Sequence, residues 1–390
     1  MAADEALLEA CRQSPDDDAP RLVWADAVGG ERGELVVIQC DLARGGLAPA
    51  EIGARRRRER ELLAAHGAAW ADMSGLGTYW PRFEFRRGFV EAIQLEVRTF
   101  TEHGEALFRR APLLRSLTAV TLKATSDDPG DELRRLLGAP ARRRLRGLDL
   151  LHAGARPPLD PRSFDDRGNE AARLLAESGA LAHLRRLGIS GGGLAARGAH
   201  HLVASGALPR LERLWLRGAD LVPDAILAVL DHAPRVSSLD LYGATGLPAI
   251  VSALPPVVEL HLSGVGDETL AALGQSRAGA TVEKLRLSAG ALARCDGFGA
   301  FPRLRALDLH RMHLGDPERG AHELAACLPA LRRLRLPSMP ARGLRALARA
   351  LGPQLEALEV QGGEHHLPDG LPALVAGELL ENPPSAEALL

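Results

Sequence analysis

One short hydrophobic pattern constrains this chain more than any other feature of its sequence. The pattern Leu-x-x-Leu-x-Leu, with Val or Ile allowed at the leucine positions, occurs eleven times. The matches begin at Val90, Leu117, Leu145, Leu184, Leu211, Val236, Val257, Val282, Leu304, Leu331 and Leu355. Successive starts lie 21 to 39 residues apart, and the ten intervals sum to 265 residues, a mean of 26.5. This spacing indicates a repeat array in which each unit supplies one strand and its connection.

The alternation inside the pattern predicts how each strand is oriented. Side chains at the fourth and sixth positions point to one face of a strand, and those at the third, fifth and seventh point to the other. A single such strand buries too little to fold, but stacked parallel strands share a continuous leucine core. The pattern therefore predicts an α/β fold: a right-handed solenoid with parallel strands on its concave face and helices or irregular turns on its convex face.

Several segments between the strands have helical signals. Pro223 stands at the first turn of one helical pattern, Asp316 and Pro317 form an N-cap and first helical position, and Gly352-Pro353 predicts a helix end. Proline also occurs two residues before six of the repeat starts. These are Pro209, Pro234, Pro255, Pro302, Pro329 and Pro353. Proline at this phase ends a helix and favours extended backbone, so it sets the register of the next strand.

The repeats over residues 88–365 resemble the leucine-rich-repeat superfamily, and their length is nearest to its ribonuclease-inhibitor-like class. The resemblance implies a consensus Asn in the turn after each strand, which this chain lacks. The corresponding residues are Ala153, Ala219, Ala244, Val265, Met312 and Met339. Water or backbone groups must satisfy those turns, so irregular turns are expected. We also predict a loop over residues 155–169. The segment SAGALARCDGFGAF has no helical pattern, so we predict no helix there. Without a helix on the convex side, the solenoid should curve less at this segment.

The first 80 residues lack the repeat and predict four helices instead. Their patterns are ADEALLEACRQ, APRLVWADAV, RGELVVIQCDLA and APAEIGARRRRERELLAAHGAAW. Ser14 to Asp17 fits a capping box and Asp18 fits an N-cap. FEFRRGFVEAIQLE then predicts two strands around Arg87-Gly88. SPDDDAPRLVWADAV, RGELVVIQCDLA and RRGF resemble a bacterial repeat-companion domain, a family that implies no catalytic residue. We expect a capping domain (1–80), a repeat solenoid (81–365) and a C-terminal cap and tail (366–390).

Composition narrows the class of protein and its compartment. The chain has 48 basic and 50 acidic side chains, a net charge of −2, so no global attraction to polyanions is expected. The four cysteines are isolated, which argues against a disulfide framework and favours a reducing cytoplasm. The N-terminus has no signal-peptide pattern, and no apolar stretch could span a membrane. Basic charge is almost entirely arginine, which together with abundant Ala, Gly and Pro suggests a bacterial genome.

The predicted concave face supplies the candidate binding residues. They are Arg186, Arg213, Trp215, Arg217, Asp240, Tyr242, Glu259, His261, Arg286, Asp308, His310 and Arg335. Trp, Tyr and Arg dominate the energetics of many protein interfaces, and the mixed charges suit a protein or peptide partner. The alternative is an ordinary surface on which Trp215 only shields neighbouring leucines.

Other candidate sites have simpler interpretations. The run Arg55 to Arg58 could contact nucleic acid, but acidic neighbours on the same predicted helix favour a solvated, salt-bridged face. Arg142 to Arg144 precede a strand, and we discount nucleic-acid contact for them in the same way. Asp16, Asp17, Asp18 and Asp26 resemble capping residues more than a metal site. The histidine clusters His200-His201, His365-His366 and His310/His313 lack zinc spacing, so no metal or cofactor is expected.

The sequence thus predicts a non-enzymatic module or scaffold that binds a protein or peptide partner. The first alternative is a nucleic-acid-associated protein that uses its arginines. A second is an enzyme within residues 1–80, which would need a polar pocket near Trp24 and Asp26. The sequence identifies neither the partner nor the oligomeric state.

Overall fold

We analysed a computed structural model of the 390-residue chain. The structure describes residues 2–72, 82–122, 129–153, 165–190, 194–338, 341–351, 355 and 357–360. Several of the predictions above lie wholly or partly outside these residues: the C-terminal cap over 366–390, the helix end at Gly352-Pro353, the turn at Met339, the His365-His366 pair and residues 155–164 of the predicted loop. The chain divides into two compact units, Met1–Gly154 and Ala155–Leu390, and the domain boundaries expected at residues 80 and 365 stay predictions.

The N-terminal segment is helical, as the sequence predicts. Its helices are Ala2–Gln13 (α1), Ala19–Val28 (α2), Gly30–Arg44 (α3) and Pro49–Ala71 (α4). Proline stands in the first turn of both α2 and α4, where its missing N–H costs no intrahelical bond.

Of the two caps predicted before α2, the capping box from Ser14 is wrong, while Asp18 does occupy the predicted N-cap position. Residues 14–18 form a bend and turn, with no helix start at Ser14, and the Asp18 side chain makes no capping hydrogen bond. That carboxylate instead lies 2.8 Å from Nε of Arg87. Asp17 is the residue whose Oδ1 accepts a hydrogen bond from the Ala19 N–H, at 2.9 Å. The ion pair with Arg87 explains why Asp18 is turned away from the helix.

A tight hairpin connects the helices to the repeats. Strands Arg82–Arg86 (β1) and Phe89–Glu96 (β2) pair antiparallel around Arg87-Gly88, which confirms the predicted hairpin. Both turn residues have positive φ, 48° at Arg87 and 82° at Gly88, as expected for a two-residue turn that matches strand twist. A Cβ on Gly88 would lie 2.2 Å from Cγ2 of Val36, so glycine is required for close approach as well as for φ.

The helices pack on this hairpin through an apolar cluster and a buried ion network. Trp24, Val36 and Phe89 belong to one buried cluster, with Trp24 and Phe89 ring centroids 4.6 Å apart. Beside it, Glu91 accepts from Arg21 Nη2 at 2.5 Å, and the two side chains are 1% and 0% exposed. Since β1 pairs with β2 and the N-terminal helices pack on this hairpin, the first repeat strand is not a bare edge.

The repeat region alternates strands with helices. The strands are Ser116–Leu122 (β3), Gly147–Ala153 (β4), Arg186–Ser190 (β5), Arg213–Leu221 (β6), Ser238–Ala244 (β7), Glu259–Ser263 (β8), Lys284–Leu292 (β9), Ala306–Leu314 (β10), Arg333–Leu336 (β11) and Ala357–Val360 (β12). The helices are Val97–Arg110 (α5), Pro129–Gly138 (α6), Asp165–Glu177 (α7), Ala196–Ala204 (α8), Pro223–Asp231 (α9), Leu247–Ala253 (α10), Asp267–Gly274 (α11), Pro317–Cys327 (α12) and Ala341–Leu351 (α13).

The strand order confirms the predicted α/β repeat-solenoid fold. Twelve strands follow one another in chain order in a sheet that is parallel apart from the β1–β2 hairpin. In the second unit the fourth-position leucines form one row: Leu187 pairs with Leu214, which pairs with Leu239, and the row continues through Leu260 and Leu285. All five are at most 2% exposed, so the repeated leucines share one core.

The predicted start of the second repeat is wrong by three residues. Leu117 pairs with Ile93 and with Leu148, the fourth-position residues of the flanking repeats, so this repeat begins at Leu114. The N–H of Leu114 donates to the Ala111 carbonyl at 3.0 Å, the same bond that Leu145 and other repeat starts make three residues back. The error arose because Ala119 breaks the pattern at the true start, Leu114, whereas Val120 and Leu122 complete a match that starts at Leu117.

The segments between the strands follow the sequence in most places. Pro223 opens α9, and Pro317 opens α12 behind the Asp316 cap. The connection from β9 to β10 contains a short 3-10 helix, Asp296–Ala300, and no α-helix, as predicted. The loop expected over residues 155–169 is wrong at its end, because α7 begins at Asp165 with acidic residues in its first turn.

Backbone hydrogen bonds join each strand to the next through the second position of the repeat. The carbonyl of Arg185 accepts the N–H groups of Glu212 and Arg213, at 2.7 and 3.0 Å. The carbonyls of Glu212, Ser237, Val258, Glu283 and Arg305 each accept two N–H groups of the following strand in the same way. Side chains at this position differ widely, so the link between repeats is made by the main chain.

Candidate functional site

The twelve predicted binding residues all lie on neighbouring strands of the second unit. Strand register places the fifth-position residues in one row across β5 to β11, all of which except Gly188 carry a side chain. The row is Gly188, Trp215, Asp240, His261, Arg286, Asp308 and Arg335. These side chains alternate with core leucines, so they lie on the sheet face opposite the core. We call the face of β5–β11 formed by third, fifth and seventh positions the recognition face.

One end of the recognition face is aromatic. The guanidinium carbon of Arg217 lies 4.3 Å from the Tyr242 ring centroid, a cation–π contact between two residues paired in register on β6 and β7. Trp215 precedes Arg217 by two residues on β6, and it pairs with Asp240 on β7. All three side chains are half-buried, so each keeps an accessible surface.

The middle of the recognition face is a groove of about 290 Å³. It is lined by residues at the third to fifth positions of β7 to β11. Glu259 accepts from Lys284 Nζ and, at 3.2 Å, from Ser238 Oγ. Burial favours the neutral form of Glu259, but the Lys284 ammonium outweighs it and lowers the pKa of this carboxyl. Carboxylates and cations alternate along the groove.

Asp308 is the most heavily paired carboxylate of the groove. It accepts from Arg286 Nε at 2.9 Å and from both the backbone N–H and Nδ1 of His310, at 3.1 and 2.7 Å. Arg335 Nη1 lies 3.6 Å away. Burial opposes the ionisation of Asp308, but the His310 hydrogen bond and the Arg286 charge outweigh it and lower the pKa to about 2. Asp308 therefore stays ionised and fixes its cationic neighbours.

A chain of hydrogen bonds that the sequence did not reveal crosses three strands of this face. Nδ1 of His261 lies 2.8 Å from Asp240 Oδ2, and its Nε2 lies 3.1 Å from Ser288 Oγ. These residue types and distances match a Ser–His–Asp hydrolase triad. The burial is reversed, however: the Asp240 side chain is 28% exposed, while Ser288 is 2% exposed. A nucleophile must meet its substrate, so this chain orients His261 and does not fit a catalytic triad.

Three further residues depart from the sequence expectations. Ser190, Ser263 and Ser288 occupy seventh positions but are 9%, 5% and 2% exposed, so they are buried rather than displayed. The β9–β10 ladder also shifts after Asp308, and Ser288 pairs with Arg311 instead of His310. Glu359 on β12, which was not among the predicted site residues, accepts from Arg335 Nη2 at 2.7 Å.

The other candidate sites have structural explanations. Arg55 pairs with Asp41 at 3.0 Å, Arg56 with Glu59 at 2.8 Å and Arg58 with Glu34 at 2.8 Å, which confirms the salt-bridged helix face.

Near the N-terminus, Trp24 is buried in an apolar cluster and Asp26 is exposed, so the two do not form a polar pocket. Within the described ranges, no three His, Cys, Asp or Glu side chains gather as metal ligands. The part of the chain that the structure describes contains no helix with the length and apolarity to cross a bilayer.

Comparison with known proteins gives structural neighbours only. No protein-family model matches the chain, and no curated protein matches it. Among solved structures, a protein from Bacteroides fragilis matches with 16% identity and a TM-score of 0.40, over 70% of this chain and 82% of that one. A chain of the Rad7–Elc1 complex from yeast matches with 16% identity and a TM-score of 0.36, over 71% of each chain.

Proposed function

We propose that this protein is a non-enzymatic interaction module of the leucine-rich-repeat class, acting in the bacterial cytoplasm, and that it holds a protein or peptide partner on its recognition face. One observation carries the proposal. Six fifth-position side chains, from Trp215 on β6 to Arg335 on β11, stand in a single row across six adjacent strands, and they include a tryptophan and charged groups held by ion pairs. Side chains fixed on rigid strands lose little conformational entropy on binding.

The aromatic end supplies the anchor in this proposal. Trp215 and Tyr242 offer large, half-buried rings, and Arg217 lies over the Tyr242 ring. Residues of these types, partly buried and surrounded by polar groups, are typical of interface hot spots. The N-terminal helices have a different role in the proposal. Resembling a repeat-companion domain, they cap the first repeat strand, which the packing of α2 and α3 on the β1–β2 hairpin supports.

Nucleic-acid binding has less support. A polyphosphate backbone needs a continuous basic track. On the recognition face, Asp240 and Glu259 stand between the arginines of β6 and those of β9 to β11. The arginine run of α4 is neutralised by carboxylates on α3 and α4.

The test is partner capture by wild-type protein and by a Trp215→Ala/Tyr242→Ala double variant. We expect capture of a specific protein from a bacterial lysate by the wild type, and at least a tenfold weaker affinity of the variant for the purified partner, since hot-spot truncations cost about 2 kcal/mol or more. The double variant should keep the melting temperature of the wild type to within a few degrees. Equal binding of the purified partner by a folded double variant would refute the proposal.

A further inference from the structure

The side of the first unit at which α5 and α6 end, and β3 and β4 begin, is rich in arginine. Residues 106–118 and 133–148 meet there, because the Arg146 N–H donates to the Arg115 carbonyl at 2.7 Å. These two segments contain nine arginines and no aspartate or glutamate, and we call them the arginine edge. The nine are Arg109, Arg110, Arg115, Arg134, Arg135, Arg142, Arg143, Arg144 and Arg146.

The positive charge of this region is visible in a full count. Residues 97–153, which contain α5, β3, α6 and β4, carry eleven basic and seven acidic side chains, so their net charge is 11 − 7 = +4. The whole chain has a net charge of −2, so the remaining residues together carry −2 − 4 = −6. All seven acidic residues lie outside the arginine edge. They are Glu102, Glu105, Asp127, Asp128, Asp131, Glu132 and Asp149.

Most arginines of this edge have no counter-charge. Arg110 donates to the Asp72 carbonyl at 3.1 Å. Arg134 pairs with Asp131 at 2.6 Å, and Arg115 takes part in the network of Glu91. Within the described ranges, the other six form no ion pair with a carboxylate, and all but the half-buried Arg142 are exposed. The six are Arg109, Arg135, Arg142, Arg143, Arg144 and Arg146.

The backbone that carries these arginines is held firmly. A 3-10 helix, Pro140–Arg144, packs on α5, where a Cβ on Gly104 would lie 2.8 Å from that of Ala141. The guanidinium carbon of Arg144 lies 4.3 Å from the Phe108 ring centroid. Burial and the charge of Arg143 lower the pKa of Arg142, so this cation has a neighbour of like charge. The arginine edge therefore holds its positive charges close together.

The arginine run of α4 provides a contrast within the same unit. Arg55, Arg56 and Arg58 each pair with a carboxylate of α3 or α4. The sequence argument discounts Arg142 to Arg144 in the same way, and for them it fails, because no carboxylate of the described residues neutralises the run. Arginine in the last turn of a helix complements the helix dipole, but Arg142 to Arg146 lie beyond the end of α6.

We propose that the arginine edge binds the phosphate backbone of double-stranded nucleic acid without reading its sequence. A duplex carries one negative charge per roughly 1.7 Å of its axis, so several guanidiniums can meet phosphates at once. Guanidinium N–H groups match phosphate oxygens in pairs. Phe108 is the one aromatic residue of the edge, and it is only 2% exposed, so no ring is available to stack on an unpaired base. Phosphate contacts with a duplex are therefore favoured over base contacts with a single strand.

Two other surfaces of this protein support the choice of ligand by contrast. Carboxylates interrupt the cations of the recognition face, whereas the arginine edge contains none. Peripheral membrane binding combines cations with exposed apolar side chains. The exposed large apolar residues of the first unit, Val23, Val28 and Val37, are on α2 and α3. The inference does not rest on the proposed function, because the recognition face belongs to the second unit.

The test is fluorescence anisotropy of the full chain with a fluorescein-labelled DNA duplex of about 20 base pairs, titrated at several NaCl concentrations. Arg109→Ala/Arg143→Ala/Arg146→Ala removes three exposed side chains of the edge. We expect it to weaken binding by on the order of tenfold or more near 50 mM NaCl. We also expect the slope of log K against log salt to fall in magnitude by about 3, since each lost phosphate contact removes about 0.9.

The matched control is Arg55→Ala/Arg56→Ala/Arg58→Ala, which changes the net charge by the same amount and should leave the affinity unchanged. Thermal melting shows that each variant is folded. Wild-type protein that does not bind the duplex, or an equal loss of affinity in the control, would overturn the inference.

Further probes separate a duplex from other polyanions. A second duplex of unrelated sequence should bind equally well, and a single strand of the same length more weakly. Vesicles of equal parts phosphatidylglycerol and phosphatidylcholine, and an oligoglutamate peptide, should not bind. Tighter binding of either, lost in the Arg109→Ala/Arg143→Ala/Arg146→Ala variant, would assign the edge to a membrane or to an acidic peptide instead. The same variant should capture the protein partner of the recognition face as wild type does; loss of that partner with duplex binding unchanged would overturn the inference.

Discussion

Asp308 shows how one buried carboxylate organises its surroundings. Burial alone would favour its neutral form, yet hydrogen bonds from His310 and the charge of Arg286 outweigh burial and lower its pKa to about 2. The energy of those contacts exists only while the carboxyl is ionised. Asp308 should therefore make folding stability depend on pH in the acid range.

The sign of this dependence follows from linkage. The pKa of Asp308 in the folded state is below its unfolded value near 3.9, so the stabilisation is complete above the unfolded value and is lost as pH falls through the folded value. We expect wild type to exceed Asp308→Asn in unfolding free energy near pH 6, and this gap to shrink by about 2 kcal/mol as pH falls from about 5 to about 2. Urea denaturation at a series of pH values measures it, and a gap that is independent of pH would contradict the assignment.

The solvent exposure of His261 and its two hydrogen-bond partners shows which of them a partner can reach. Its two ring nitrogens contact a carboxylate and a hydroxyl at hydrogen-bond distances, as the histidine of a hydrolase does. Exposure rises from Ser288 at 2% through His261 at 12% to Asp240 at 28%. The hydroxyl therefore anchors the imidazole from below, and the carboxylate is the member of the chain that a partner can reach.

At the scale of elements, α12 has the best-capped start of the helices with a described N-cap. Asp316 accepts from the N–H groups of Glu318 and Arg319, at 3.0 and 3.1 Å, and Pro317 fills the first helical position. Asp18 stands at the equivalent place before α2 but makes no such bond. Aspartate at the N-cap position thus caps one helix and forms an ion pair at another.

We predict that Asp316→Ala lowers the free energy of unfolding by about 1 kcal/mol, because two N–H groups lose their acceptor. Asp316→Asn is the matched control, since its amide oxygen can still accept those bonds, and it should cost much less. Thermal and urea denaturation of the three proteins provide the comparison. An alanine variant as stable as wild type would show that water replaces the cap fully.

The leucine pattern predicts the strands and their order because burial forces the same spacing on every repeat. It misplaces the second repeat, where Val120 and Leu122 imitate the pattern three residues late. Pro112 carries the signal that corrects it: this proline lies two residues before Leu114, the phase found before six other starts. The hydrophobic pattern alone does not identify the start of the second repeat, whereas the position of Pro112 does.

Strand alternation predicts the third- and fifth-position residues of the recognition face, but it does not predict the burial of Ser190, Ser263 and Ser288 or the contacts between side chains. Asp240, His261 and Ser288 are 21 and 27 residues apart in sequence, and they meet only through strand register and side-chain rotamers. The shift in the β9–β10 ladder after Asp308 likewise has no counterpart in the hydrophobic pattern. Local sequence determines which face a residue takes, whereas three-dimensional packing determines its partners.

At the scale of the whole chain, the first unit contains a buried ion network centred on Glu91. Glu91 on β2 accepts from Arg21 Nη2 on α2 at 2.5 Å, and from Arg115 at 2.6 Å to Nη2 and 2.8 Å to Nε. Arg21 also donates to the Pro15 carbonyl at 3.0 Å. A single carboxylate thereby connects an N-terminal helix with the first two repeats.

We expect Glu91→Gln to lower the unfolding free energy by about 3–5 kcal/mol, because it leaves the buried guanidinium of Arg21 without its counter-charge. Glu102→Gln is the control: its pair with Arg98 is exposed on both sides, so its loss should leave the unfolding free energy nearly unchanged. Chemical denaturation followed by tryptophan fluorescence reports on Trp24 in this unit. Similar losses of unfolding free energy in both variants would show that the buried network stabilises the fold no more than an exposed ion pair does.

The carbonyls that accept two N–H groups, at the second position of six successive repeats from Arg185 to Arg305, bear on how this chain can change over generations. Main-chain atoms and a monotonous aliphatic interior hold the repeats together, and neither depends on which side chains alternate with the leucines. Mutations at the intervening sites can therefore accumulate and be selected for a new ligand while the framework persists. Descendants of this gene can diverge in specificity one surface residue at a time, and an engineer can graft new contacts by the same route.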